Sequence, residues 1–174
     1  MKKTGLTLIY TGNGKGKTTA ALGQAIRAAG HDQKICIVQF IKGPWETGEA
    51  KALTCFPECI ELHSKGEGFT WEAKDKKQLI ESARLAWDFA KEKIMSATYD
   101  LVILDELTYL ITYGIIDESE AIALLRARPE HLNIVITGRD ASAGLVNEAD
   151  LVTEMKEIKH PYSKGVKARK GIEW

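Results

Sequence analysis

Net charge, cysteine and long apolar runs are all scarce in this chain. Its 24 basic residues are matched by 24 acidic ones, so no global field draws it to nucleic acid or an anionic membrane, and charged ligands must be met locally. Three cysteines, Cys36, Cys55 and Cys59, are too few and odd in number for a disulfide framework, which fits a reducing compartment. Cys55, Cys59 and His63 are spaced closely enough to suggest a metal cluster. Pro57 interrupts any helix that would align them, however, and no fourth ligand is apparent, so packing is the simpler reading. The basic start Met1-Lys2-Lys3-Thr4 leads to an apolar run over 6–10 only, far short of a signal peptide or a membrane span. A cytoplasmic protein is expected. With 174 residues the chain can bury about 70% of its extended surface as a single domain, 1–174, without staples.

What the chain does have is a regular alternation. Strand-length apolar runs lie at 6–10, 34–40, 60–63, 99–104, 133–137 and 151–154, several of them continuous Val/Ile/Leu, as suits strands buried on both faces of a parallel sheet. Between them, 17–29 ends at Gly30, 118–126 stops before Pro129, and 74–96 carries Leu79, Ile80, Ala83, Ala86, Trp87, Ala90 and Ile94 at helical spacing. The expected class is α/β, a mostly parallel sheet covered by helices on both faces, with ligands at the carboxyl ends of the strands.

The most informative segment is Thr11-Gly12-Asn13-Gly14-Lys15-Gly16-Lys17-Thr18-Thr19, placed between the first apolar run and the first helix. Backbone N–H groups of a glycine-rich turn converge on an anion, the helix after it aims its positive end there, and Lys17 adds a full charge. Thr18 offers a hydroxyl to the magnesium (or manganese) that accompanies a nucleotide. The usual pattern opens on Gly, where this chain has Thr11.

A second nucleotide signal is the strand run 99–104 ending in Asp105-Glu106, acids that should face the metal of the phosphate loop. Phe69 and Trp71 lie in a glycine-flanked polar stretch without periodicity. They either plug a core gap, line a ligand site or stack on nucleic acid bases. Lys42 and Trp45 come after the second strand near the expected ligand edge. The basic stretch 156–170, with Glu157 its lone acid, reads as a solvated tail or as a contact for phosphate or an amide-rich ligand.

Together, TGNGKGKTTAA, VQFIKG, GFTW, LVILDELTY, ARPEHLNIVITGR, ADLVTEM and KHPYSKGVKARKGIEW resemble the P-loop type of ATP:corrinoid adenosyltransferase, in the same order over nearly the whole chain. The resemblance implies a P-loop NTPase-like (RecA-like) fold with a six-stranded sheet, a cytosolic homodimer, and ATP and a reduced corrinoid as substrates. The 5′-deoxyadenosyl group passes to cobalt and tripolyphosphate leaves; a flavodoxin or another reductase supplies the electron. It further implies that Gly12, Asn13, Gly14, Lys15, Gly16, Lys17, Thr18 and Thr19 cradle a reversed triphosphate, and that Lys17 neutralises it. Thr18 and Glu106 would bind magnesium, Arg27 would lie near the ribose, and Phe69 and Trp71 would wedge beneath the corrin to exclude its lower axial ligand. Family members carry an extension ahead of the phosphate loop that folds over the corrinoid; with ten residues before Thr11, a shorter lid is expected here.

Two other functions compete with this one. A phosphohydrolase or kinase would use Glu106 as base. A nucleic-acid-binding module would use the basic stretch and the aromatics, but zero net charge disfavours it. Neither nucleic acid nor membrane is an expected partner.

Overall fold

The computed structural model describes residues 4–41, 47–65 and 76–173. Strands and helices alternate as β1 (Thr7–Thr11), α1 (Lys17–Ala29), β2 (Ile35–Gln39), α2 (Gly48–Leu53), β3 (Ile60–Ser64), α3 (Lys76–Met95), β4 (Leu101–Asp105), α4 (Leu107–Thr112), α5 (Glu118–Ala127), β5 (Asn133–Thr137), α6 (Ala143–Glu148) and β6 (Leu151–Glu154), with a 3-10 turn at Pro161–Lys164 after them. The strands form one six-stranded sheet in the order β3-β2-β4-β5-β1-β6. Every neighbouring pair is parallel.

Strand composition explains this layering. All five residues of β2 (ICIVQ) and of β4 (LVILD) are buried, as strands covered on both faces require. Alternate residues serve opposite layers. Cys36, Val38, Val102, Leu104, Ile134 and Ile136 pack with side chains of α3, α4 and α5. Ile35, Ile37, Leu101, Ile103 and Val135 pack with α1. The buried face of α1 is Ala21, Leu22, Ala25, Ala28 and Ala29, small side chains that let the helix lie close to the sheet. On the other face the largest fully buried side chain among the described residues is Trp87, tilted against Phe40 at a centroid distance of 6.4 Å. Its indole N–H donates to Glu120 Oε1 at 2.6 Å, which satisfies a buried donor that would otherwise oppose the packing.

Because the strands are parallel, their carboxyl ends share one edge. The register sets Ser64 beside Gln39 and Gln39 beside Asp105, with Thr137 at the end of β5 next along. The phosphate-loop strand β1 and the acid-bearing strand β4 are not neighbours: β5 lies between them. The three helices that periodicity did not indicate, α2, α4 and α6, are six residues each, too short to repeat a 3.6-residue pattern twice. Two of them carry side-chain caps, Thr47 accepting from Ala50 N–H and Ser142 accepting from Leu145 N–H.

Candidate active site

The turn from β1 to α1 needs glycine at Gly12 and Gly16, whose φ angles of 98° and 107° lie in the left-handed region. Close approach adds a second demand at Gly14. A Cβ there would meet the Lys156 and Met155 carbonyl oxygens at 2.8 Å, because Gly14 N–H donates to Met155 O at 2.7 Å. The backbone leaving β6 thus backs the loop, and Met155 N–H returns a bond to Thr11 O at 2.8 Å. This geometry accounts for Thr11 in place of glycine: it is the last residue of β1, and its hydroxyl oxygen accepts from Ala141 N–H at 3.2 Å, tying in the β5–α6 connection.

Lys17 reaches back over the loop and donates from Nζ to Gly12 O and Gly14 O, both at 2.7 Å. Burial, and then the nearby Arg139 guanidinium, hold its ammonium pKa below the usual lysine value; Glu106 and Asp140 oppose them. Around it Asn13, Lys15 and Thr19 are exposed and form the rim. An anion entering here meets the helix N-terminus, the loop amides and two cations, Lys17 and Arg139.

Both acids expected from the sequence are at this edge, in different roles. Asp105 is 1% exposed and accepts three hydrogen bonds, from Thr18 Oγ1 at 2.9 Å, Thr137 Oγ1 at 2.7 Å and Gln39 Nε2 at 3.0 Å. Glu106, one residue on, adopts a left-handed conformation, φ 67° and ψ 27°, at the N-cap of α4. That strain is about 1 kcal/mol for a residue with a Cβ, and Glu106 N–H is held by Thr137 Oγ1 at 2.8 Å. Its carboxylate is half-buried and close enough to raise the Lys17 pKa. After burial, Glu106 is also the largest influence pushing up the phenol of Tyr109.

Oxygen donors from Thr18 and Glu106, backed by Asp105, fit a hard cation such as magnesium, which takes one or two protein ligands and completes its shell with phosphate oxygens and water. Among the described residues no group of three or more His, Cys, Asp or Glu is placed to hold a metal. Cys55 and Cys59 are free thiols, and His63 Nε2 pairs with Glu61 Oε2 at 3.2 Å.

The loop residues, Thr18 and Glu106 are therefore brought together, and Arg27 lies further along α1. It stands ten residues beyond Lys17, about 15 Å along α1, exposed and bonded to Gln24 Oε1 at 3.1 Å. Phe69 and Trp71, like Lys42 and Trp45, lie outside the described residues. The basic stretch 156–170 is mostly exposed, but beyond it the chain returns to the site. Glu173 lies 3.5 Å from Lys15 and accepts from Arg169 N–H at 2.7 Å.

Three groups at the site were not singled out by sequence reasoning: Gln39, Thr137 and Arg139. Arg139 shares a cleft of about 560 Å³ with Asn13, Glu154, Lys156 and Glu157. The signal was present, since polar residues at the carboxyl ends of otherwise apolar strands face the ligand edge of a parallel sheet.

A phosphate loop after the first strand, with an acid on a non-adjacent strand reaching its threonine, defines an α/β P-loop NTPase-like domain. Solved structures agree on the fold. The RadB recombinase superposes with a TM-score of 0.51 at 16% identity, over 91% of this chain and 77% of that one. The cytoplasmic domain of EssC gives 0.51 at 17% identity, over 95% of this chain and 34% of that one. Sequence narrows the class further. The family model described as ATP:corrinoid adenosyltransferase BtuR/CobO/CobP matches residues 3–174, and the chain belongs to that family. It is 42% identical to a corrinoid adenosyltransferase of Pseudomonas aeruginosa over 170 residues, 98% of this chain and 84% of the relative. With the corrinoid adenosyltransferase CobA of Salmonella typhimurium it shares 40% over 173 residues, 99% of this chain and 87% of the relative. Among the described residues no helix is long and apolar enough to cross a membrane.

Proposed function

We propose that this protein transfers the 5′-deoxyadenosyl group of ATP to the Co(I) of a reduced corrinoid, releasing tripolyphosphate. The cobalt electron pair forms the bond to C5′ as the bond from C5′ to the α-phosphate oxygen breaks, and that electron pair leaves on the tripolyphosphate. Co(I) is itself the nucleophile, so the protein's tasks are orientation and stabilisation of the leaving group. The observation that carries the reading is the match to the ATP:corrinoid adenosyltransferase family over residues 3–174. Beside it, the two oxygens of Asp105 accept from Thr18, Thr137 and Gln39, so the acid bonded to the phosphate loop orients the hydroxyl that would meet the metal of the leaving triphosphate.

In this reading the loop amides of residues 12–19 and Lys17 neutralise the triphosphate, and Arg139 adds a cation from the far side of the cleft. Thr18 and Glu106 hold magnesium, which supplies charge neutralisation on the phosphates when bound. Phe69 and Trp71 exclude the lower axial ligand of the corrinoid, a role supported by their match to the family's aromatic pair. The enzyme works in the cytoplasm as a homodimer of single-domain subunits and takes its electron from a flavodoxin or another reductase.

The test is the spectral change from Co(I) to alkylcobalt, monitored with and without ATP while phosphate products are counted. One tripolyphosphate should appear per adenosylated corrinoid. ADP and phosphate formed without corrinoid as the main products would overturn the proposal in favour of a phosphohydrolase using Glu106 as base.

A further inference from the structure

The hydrogen bonds at the carboxyl edge of the sheet continue beyond Asp105 to the end of the next strand. Gln39, the last residue of β2, is 4% exposed. Its Nε2 donates to Asp105 Oδ2 at 3.0 Å, and its Oε1 accepts from Ser64 Oγ at 2.8 Å. The strand ends around it are also fixed through their backbones, Lys65 N–H donating to Gln39 O at 3.1 Å and Phe40 N–H to Asp105 O at 3.2 Å.

Donor chemistry dictates the direction of every bond in this chain. An ionised carboxylate only accepts, so the amide must turn its nitrogen to Asp105 and its oxygen to Ser64, whose hydroxyl then donates. With Oδ2 occupied, Oδ1 is left to accept from both hydroxyls, Thr18 and Thr137. The Thr18 hydrogen is thereby committed to Asp105, and the lone pairs of its oxygen are turned away from the acid, toward the phosphate loop. If the Gln39 amide were reversed, its oxygen would face Asp105 Oδ2, two acceptors opposed in a site closed to water.

We propose that Gln39 is a positioning residue for the cation–nucleotide site, with Ser64 fixing which way its amide faces. The line runs from Ser64 through Gln39 and Asp105 to Thr18, and its output is the orientation of one hydroxyl oxygen toward the metal. This rests on the proposed function, in which Thr18 meets a metal–nucleotide complex. Outer-shell partners of metal ligands commonly change metal affinity 10- to 100-fold. Gln39, one step further out, belongs at the lower end, and Ser64 acts only through it.

The experiment titrates Mn2+ by the loss of its free-ion paramagnetic resonance signal, in the presence of the β,γ-imido analogue of ATP and without corrinoid. Gln39→Met keeps the length and apolar bulk of the side chain and removes both polar atoms. It should weaken Mn2+ binding about 10-fold, while binding of the analogue in EDTA stays within about 2-fold of wild type. Ser64→Ala, at an exposed position, should shift Mn2+ affinity by about 2- to 3-fold. The double variant should be no worse than Gln39→Met alone, because a residue acting through another is not additive with it. Wild-type Mn2+ affinity in Gln39→Met overturns the proposal, as does an equal loss of metal-free analogue binding, or additivity of the two changes. Should Gln39→Met fail to fold, unchanged Mn2+ affinity in Ser64→Ala overturns it alone. A wild-type protein that binds no Mn2+ with the analogue removes the metal–nucleotide reading itself, whereas a wrong assignment of the acceptor leaves all these titrations unchanged.

Discussion

Thr18 Oγ1 donates to Asp105 Oδ1 at 2.9 Å, joining residues 87 positions apart in sequence. The bond spans a strand, because β5 separates the strand that leads into α1 from the one that ends at Asp105. Thr137 at the end of β5 fills the gap, donating to Asp105 Oδ1 at 2.7 Å and accepting from Glu106 N–H at 2.8 Å. Three strand or helix ends are thus locked around one buried carboxylate.

Asp105→Asn should separate the orienting role of this acid from its structural one. An amide offers one acceptor where the acid offers two, so either Gln39 or the two hydroxyls must face a donor. Loss of buried partners costs about 1–3 kcal/mol, and nucleotide affinity in magnesium should fall about 10- to 100-fold. Thermal unfolding with and without magnesium and ATP reads both. The ligand-induced rise in Tm should shrink by a larger fraction than the Tm of the free protein. Equal ligand-induced rises in variant and wild type would count against the assignment.

Lys17→Ala should leave the fold intact, since the side chain is partly exposed and among the described residues its hydrogen bonds go to two loop carbonyls, of Gly12 and Gly14. Turnover at saturating ATP and magnesium should drop about 100- to 1,000-fold, as expected when one charge contact to a leaving group is lost. Wild-type turnover under those conditions would remove Lys17 from the machinery.

Much of this site was legible in the sequence because its signals are local. A glycine-rich turn leading to Lys17-Thr18, and an apolar strand ending in Asp105-Glu106, are read along the chain without knowing what packs on what. The division of labour between the two acids was not, because it depends on which strand inserts between β1 and β4 and on the left-handed turn at Glu106. Gln39 and Thr137 escaped for a related reason: each is one polar residue at the end of an apolar run, and only the order and register of the strands place them on either side of Asp105.

Two glycines predict opposite outcomes from the same substitution. At Gly14 a methyl group would sit 2.8 Å from backbone atoms of Met155 and Lys156, which cannot move without opening the contact between loop and β6. Gly14→Ala should therefore displace the loop and weaken nucleotide binding. At Gly23, exposed on α1, nothing lies within 4 Å of the added methyl, and alanine should stabilise the helix by about 0.5–1 kcal/mol. Urea unfolding of the two variants, with nucleotide titrations beside it, checks both signs.

The three thiols should react in a fixed order. Cys55 is exposed, Cys59 partly so and Cys36 buried; burial pushes the Cys36 thiol up to about 12. Because the thiolate is the reactive form, a disulfide reagent at pH 8 should consume Cys55 first and Cys59 more slowly, reaching Cys36 only after unfolding. A Cys36 that reacts in the native protein as fast as Cys55 would contradict the core placement of β2.

Glu61 on the edge strand β3 should give part of the stability a pH dependence of defined sign. Its Oε2 accepts from Tyr99 O–H at 2.8 Å, from Lys93 Nζ at 3.2 Å and pairs with His63 Nε2 at 3.2 Å, fastening the end of α3 and the approach to β4 onto β3. The Tyr99 bond above all, against some desolvation and with help from His63 and Lys93, lowers its carboxyl from an ordinary 4.5 to about 2. A carboxyl with a depressed folded pKa contributes stability that is present above its unfolded value and lost as pH falls toward its folded one. The window here runs from about 4.5 down to about 2. The side chain is 49% exposed, so solvent screening limits the contribution to about 1 kcal/mol or less. Urea midpoints of wild type and Glu61→Gln should differ by that amount at pH 7, and the gap should close to about half or less near pH 3. A gap that holds constant or widens on acidification would show that these bonds contribute nothing specific to the ionised form.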